Sequence, residues 1–199
     1  MSVLTGFKYI GEKIKQFERD NSYGYIFGYE ESYGYLPGTY ARDKDAVATS
    51  LLIAEMAAYY KQQRLSLYGL MNEMYEKYGY FKEASISNVV KGIDPLAVMR
   101  DKMTALRAEL PSTIDGIKVL RVRDYKSGEV TDFRTGETSP TGLPSSDVLY
   151  FELEDGCTYI IRPSGTEPKI KTYILVKAIS SQEADAKIAS FTSFTKTLF

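Results

Sequence analysis

The pattern of apolar residues changes near residue 80, and that change limits what the chain can fold into. Before it, apolar residues recur at spacings of three and four around one short β-type run; after it, strand-like segments dominate. Residues 1–80 thus read as helices with a single strand. One strand cannot satisfy its own backbone N–H and C=O groups, so this part reads as a piece of a larger α/β domain. Residues 81–199 carry strand, helix, several strands and a closing helix, which is enough for an α+β domain with an antiparallel sheet and two packing helices. The expected class is α/β followed by α+β.

In the first part, Phe7, Ile10, Ile14 and Phe17 mark a helix that Thr5 would cap and Asp20-Asn21-Ser22 would end. Tyr23 to Phe27 is aromatic and β-branched and reads as a buried strand. A polar loop from Tyr29 to Tyr40 follows. Val47, Leu51, Ala54 and Ala58 give the next helix a buried face, with Asp43 as its N-cap. Leu67 to Tyr78 is a third helix, capped by Ser66 and stopped by Gly79, with a Met and Tyr stripe expected in the core.

In the second part, Phe81 to Val90 reads as a strand, and Asp94-Pro95 opens a helix carrying Leu96, Met99, Met103, Leu106 and Leu110. Ile117 to Arg123 alternates like a strand, and 124–147 reads as an exposed hairpin or loop. Asp155-Gly156 joins two strands, Val148 to Glu154 and Cys157 to Ile161, because glycine tolerates positive φ in a two-residue turn. Ile170 to Ile179 is a further strand. The capping box Ser180 to Glu183 starts the last helix, with Ala184, Ile188, Phe191, Phe194 and Leu198 inward.

Composition removes several functions. The 199 residues contain no His, which excludes imidazole acid/base chemistry and His-ligated metal sites. The 25 Lys+Arg nearly balance the 26 Asp+Glu, whereas a nucleic-acid binder is usually more basic. The lone Cys157 cannot form an intrachain disulfide and reads as a small buried residue in a strand. No apolar run approaches membrane-spanning length and no leader pattern stands at the start, so a soluble cytoplasmic protein without a membrane partner is expected.

Two loops carry chemistry. Arg162-Pro163-Ser164-Gly165-Thr166-Glu167-Pro168-Lys169 lies between two strands. Its arginine offers a planar fork of donors for phosphate oxygens, and Ser164 and Thr166 add hydroxyls. Gly165 lets the backbone approach closely enough for an N–H anion nest, and Lys169 and Lys171 add positive charge. Gly28-Tyr29-Glu30-Glu31-Ser32-Tyr33-Gly34-Tyr35 delivers two carboxylates and a hydroxyl at a strand end. They suit vicinal sugar hydroxyls, with Tyr33 and Tyr35 against the ring; acid/base catalysis or metal ligation is the alternative. Arg42 and Lys44 stand at a helix start, where cations oppose the dipole and an anionic ligand would favour them.

Taken in order, Thr5 to Gly11, Gly28 to Gly34, Arg42 to Asp45 and Arg162 to Lys169 resemble the α-D-phosphohexomutase family, in its phosphoglucomutase/phosphomannomutase branch. The resemblance implies a C-terminal fragment: the end of the family's sugar-binding third domain over 1–80, and its phosphate-binding fourth domain over 81–199. It implies that Arg162, Ser164, Gly165, Thr166 and Lys171 bind substrate phosphate. Thr5, Gly6, Lys8, Glu30, Ser32, Arg42 and Lys44 would bind or approach the sugar, with Lys44 a candidate for proton transfer. A family enzyme donates phosphate from a phosphoserine to a hexose phosphate, and the bisphosphate reorients before phosphate returns to serine. Neither the family's serine loop nor its triple-aspartate magnesium loop occurs here; Asp43-Lys44-Asp45 is the nearest run. Magnesium and glucose 1,6-bisphosphate are thus implied for the full-length enzyme, no cofactor for this chain, and no activity for it alone. The implied partners are a hexose phosphate and the first two domains, with self-association through residues 1–80 expected from their uncovered apolar faces. A phosphopentomutase, a sugar-bisphosphate synthase or a non-catalytic sugar-phosphate module are the alternatives.

Overall fold

The computed structural model describes residues 3–30, 34–165 and 167–198. The chain forms two compact units, Met1–Glu73 and Met74–Phe199.

The first unit starts with α1 (Phe7–Asp20), which buries Phe7, Gly11 and Ile14. Its N-cap is Gly6 at φ 124°, with no side-chain cap, so Thr5 does not take the predicted capping role. Asn21 ends the helix in the left-handed conformation, φ 49°. Phe7 and Ile14 meet Leu36 in a small core, flanked by Ile10, Tyr25 and Ala41. Gly11 permits this approach, since a Cβ there would lie 2.6 Å from the Arg42 carbonyl oxygen.

The predicted buried strand over Tyr23–Phe27 does not form; these residues pair with no strand among the described residues, and Tyr23, Ile26 and Phe27 are exposed. Strand pairing occurs instead just downstream, in an antiparallel hairpin of β1 (Gly28–Glu30) and β2 (Gly34–Leu36). A hairpin satisfies backbone groups locally, whereas an interior strand needs neighbours that this unit does not supply. The helix α2 (Ala46–Gln62) is capped by Asp45, not Asp43: its carboxylate accepts from the N–H groups of Val47 and Ala48 at 2.9 and 3.0 Å. Its predicted inner face is exposed at Val47, Leu51, Ala54 and Ala58; the helix buries only Thr49. In α3 (Leu67–Tyr78), Ser66 caps as expected, accepting from Gly69 N–H at 3.0 Å. The Met and Tyr stripe predicted as core is exposed at Met71, Met74 and Tyr78.

The second unit is an eight-stranded antiparallel sheet with two helices. The strands are β3 (Tyr80–Val89), β4 (Thr113–Ile114), β5 (Ile117–Asp124), β6 (Glu129–Asp132), β7 (Thr138–Pro140), β8 (Leu149–Leu153), β9 (Thr158–Pro163) and β10 (Lys169–Ala178). They run in the order β3-β10-β9-β8-β5-β6-β7, with β4 paired to β5. The helices are α4 (Pro95–Ala108), capped by Asp94, and α5 (Ser181–Leu198). Glu183 N–H donates to Ser180 Oγ at 3.1 Å, and the Glu183 carboxylate accepts from Ile179 N–H at 3.0 Å. The polar 124–147 stretch supplies β6 and β7 and so extends the sheet as a hairpin.

Strand alternation sorts the two faces. Leu149, Phe151, Tyr159, Ile161, Ile170 and Ile174 are buried with Met99 and Met103 of α4 and Ala184 and Phe191 of α5. The Tyr159 hydroxyl reaches Thr195 Oγ1 at 2.7 Å, and Thr195 in turn donates to the Phe191 carbonyl. Cys157 is buried, and burial above all pushes its thiol up to about 11, which removes it as a nucleophile near neutral pH. Among the described residues no helix is long and apolar enough to cross a membrane.

Candidate functional site

The two chemistry-bearing loops lie in different units. In the second unit, the segment 164–168 joins β9 to β10. Ile161 and Ile170 face the core, and the alternation places Arg162 and Lys171, directly paired across the strands, on the other face. These two cations, with Lys169, Pro163, Ser164 and Glu167, line a recess of about 180 Å³. The loop closes on itself through Ser164 N–H to the Lys169 carbonyl (2.8 Å), Lys169 N–H to the Glu167 carbonyl (2.7 Å) and Glu167 N–H to Ser164 Oγ (3.2 Å). Three of its backbone donors, those of Ser164, Glu167 and Lys169, are therefore spent internally and are not free for a ligand. The attraction for an anion comes from side chains instead.

Among the described residues Glu167 is the one carboxylate lining that recess, and it pairs with Lys169. The Lys169 hydrogen bond and charge hold the Glu167 carboxyl below its ordinary value, with a smaller contribution from Lys171. Among the described residues Arg162 and Lys171 make no ion pair, so two of the three cations remain available to a ligand. Gly165 is exposed and a Cβ there would meet nothing within 4 Å, so the loop itself does not demand glycine. Thr166 lies outside the described residues.

In the first unit the β1–β2 register pairs Glu30 with Gly34 and Tyr29 with Tyr35. The pleat puts Glu30 and Gly34 on the inner face and the stacked Tyr29 and Tyr35 rings, 6.4 Å apart, on the outer one. Tyr35 thus stands opposite Glu30, and the expectation that both address one sugar ring is corrected by the period of two. Ser32, Glu31 and Tyr33 lie outside the described residues.

Lys44 crosses to this inner face. Its Nζ lies 3.0 Å from Glu30 Oε1 and 5.9 Å from the centre of the Phe7 ring. Gly34 makes room for it: a Cβ at 34 would lie 2.6 Å from Lys44 Cγ. The hydrogen bond to Glu30, above all, raises the Lys44 pKa. Lys44 thus stands as an ammonium paired with a carboxylate, a group that can donate a proton or polarise an oxygen. Arg42 is turned elsewhere, to Glu18 of α1 and to the carbonyls of Thr39 and Ala41. Lys8 is exposed with its Nζ 4.9 Å from the Tyr9 ring centre, Thr5 is exposed, and Gly6 serves as the helix N-cap. The structure thus unites Glu30, Lys44 and Gly34, and leaves Arg42, Lys8 and Thr5 apart from that cluster. Sequence reasoning missed the counter-ions Glu167 and Glu18, and no local signal marks either.

Among the described residues no group of three or more acidic, His or Cys side chains comes together to hold a metal.

Residues 1–78 match the family model for phosphoglucomutase/phosphomannomutase, alpha/beta/alpha domain III. A phosphoglucomutase of Staphylococcus epidermidis is 37% identical over 172 residues, covering 86% of this chain and 31% of that protein. One from Staphylococcus aureus is 35% identical over 186 residues, covering 94% and 33%. The chain spans about a third of the length of the curated relatives it matches. Among solved structures, the open form of the Paramecium phosphoglucomutase pp63/parafusin has a TM-score of 0.56 at 14% identity, covering 96% of this chain and 33% of that one. That likeness concerns the fold alone, and it agrees with α/β and α+β parts in sequence. The family model on the first unit and the relatives matched through both units together support the phosphohexomutase family for this chain.

Proposed function

We propose that this chain is the sugar- and phosphate-binding portion of a phosphoglucomutase/phosphomannomutase, which interconverts hexose 1-phosphate and hexose 6-phosphate through a bisphosphate. The observation that carries the reading is the β9–β10 recess, where Arg162 and Lys171 stand beside Lys169, with Glu167 the sole lining carboxylate among the described residues. Such a recess suits a phosphate dianion, held by charge-assisted hydrogen bonds. Glu30 and the Lys44 ammonium provide, in the other unit, an acceptor and a donor matched to sugar hydroxyls.

On this reading the chain binds hexose bisphosphate but does not turn it over. It contains neither a phosphoserine loop nor an acidic metal loop, and magnesium and the first two domains belong to the remainder of the longer relatives. The reaction would take place in the cytoplasm.

Calorimetric titration with glucose 1,6-bisphosphate, beside inorganic phosphate, tests the assignment. Tighter binding of the bisphosphate, weakened by Arg162→Ala and by Glu30→Ala, is expected. Absence of binding by either ligand, or turnover of glucose 1-phosphate by the purified chain, would refute it.

A further inference from the structure

The register of the second unit sets side chains of three strands in rows on the sheet face opposite the core. The inward positions of β9 and β10, among them Ile161, Ile170, Thr172 and Ile174, are buried. On the other face Lys171 of β10 pairs with Arg162 of β9 on one side and with Ser87 of β3 on the other. Two residues along β10, Tyr173 pairs with Ile160 of β9 and with Ser85 of β3. Directly opposed residues bring their Cβ atoms to about 5 Å, and successive rows on one face lie about 7 Å apart. One row thus holds two cations and a hydroxyl. The next holds an aromatic ring, a branched aliphatic chain and a hydroxyl.

The recess formed at the first row measures about 180 Å³, below the roughly 300–1,000 Å³ of pockets that enclose a whole small-molecule ligand. It takes the phosphate end of an ester and leaves the carbon skeleton outside. At one end the 164–168 turn is closed by its own hydrogen bonds. In the opposite direction along the strands the next row is that of Tyr173. Tyr173 and Ile160 are half-buried there, and Ser85 and Ser87, on the edge strand β3, are exposed. A serine is too small to cover the ring beside it.

We propose that Tyr173, with Ile160, Ser85 and Ser87, holds the sugar of a phosphate ester anchored in the recess, and so selects sugar phosphates over inorganic phosphate. The proposal rests on the reading of that recess as a phosphate site. A hexose has apolar C–H faces and a hydroxylated edge. Its face lies against the Tyr173 ring and Ile160, which removes apolar surface from water. Its hydroxyls meet the serines, each of which can both donate and accept. Free phosphate has no carbon skeleton to place on the second row and gains nothing from it.

Calorimetric titration of the full chain with glucose 6-phosphate and, in parallel, with inorganic phosphate tests the proposal. Tighter binding of glucose 6-phosphate is expected. Tyr173→Ala should weaken it about tenfold and leave inorganic phosphate within about twofold of the parent. Because Tyr173 is half-buried, a second variant keeps the ring: Ser85→Tyr, at an exposed strand position that suits an aromatic residue, covers it from β3. The same selective loss is expected, with circular dichroism unchanged. If the parent binds both ligands equally, or its preference for glucose 6-phosphate survives in both variants, this proposal is overturned while the phosphate site stands. If the parent binds neither ligand, the reading of the recess fails and the proposal falls with it.

Discussion

The sharpest consequence of the β9–β10 recess is a pair of substitutions with opposite signs. Arg162 makes no ion pair among the described residues, so its guanidinium is available to a phosphate. A hydrogen bond to a charged partner contributes roughly 1.5–3 kcal/mol net. Arg162→Ala should therefore weaken inorganic phosphate binding by about 10- to 150-fold. The fold should hold, because the side chain lies on the face of the sheet opposite the core formed by Ile161 and Ile170. Glu167 acts the other way: its carboxylate occupies Lys169 and repels an incoming anion. Glu167→Gln frees that ammonium, and binding should strengthen. Calorimetric titration with phosphate at low salt reads both, and the gap between the variants should narrow as salt screens the exposed charges. If Arg162→Ala binds phosphate within about twofold of the parent, the recess is not the anion site. If Glu167→Gln binds more weakly, the carboxylate accepts a hydrogen bond from the ligand and its role as competitor is refuted.

Gly34→Ala would force Lys44 off Glu30, since a Cβ at 34 would lie 2.6 Å from Lys44 Cγ. Binding of glucose 1,6-bisphosphate should weaken while binding of inorganic phosphate stays unchanged, as parallel titrations will show. In the second core, Phe151→Ala should cost roughly 3–5 kcal/mol through lost burial and a cavity, against about 1 kcal/mol for Tyr159→Phe, which loses only the hydroxyl contact to Thr195. Urea unfolding compares them. Burial pushes the Asp155 carboxyl up, but Lys187 at 2.9 Å and the Cys157 N–H outweigh it, so its pKa is lowered on balance. Its contribution to stability is then complete above the ordinary carboxylate value near 3.9 and is lost as pH falls through the lower folded value. Asp155→Asn should flatten the fall in urea midpoint below about pH 4.

The second unit was largely legible in the sequence because its signals are local. The Asp94-Pro95 helix start and the Ser180–Glu183 cap each act within four residues and appear where expected. Asp155-Gly156 does turn the chain, with Gly156 at φ 80°. The Glu152–Thr158 register and the Leu153 N–H to Cys157 carbonyl bond nevertheless make the loop three residues, Glu154 to Gly156, instead of the predicted two. Tyr23–Phe27 and α2 were misread for the opposite reason. An apolar run records how completely a segment is to be buried, and says nothing of what buries it. Among the described residues Tyr23–Phe27 pairs with no strand and α2 buries only Thr49, so a strand pattern stays unpaired and a core-like helix stays exposed.

The candidate residues were legible by type, but the electrostatics of Arg42 and Lys44 were not, because their counter-ions come from distant parts of the chain. Arg42 shows how far apart the two readings can lie. A cation ahead of a helix start opposes the dipole, and from sequence that misfit argued for an anionic ligand. In the fold, Glu18, 24 residues earlier, reaches Arg42 Nη2 from α1, and Arg42 Nη1 donates to the Thr39 and Ala41 carbonyls. The arginine thus has a counter-ion without a ligand, and it ties the segment after the β1–β2 hairpin to α1. Lys44, two positions on, has the same misfit and a different resolution: Gly34 lets it pass to Glu30, within the cluster suited to hydroxyls. Identical helix-start arguments therefore apply to both cations. What separates a structural tether from a binding residue is which carboxylate the fold brings within reach.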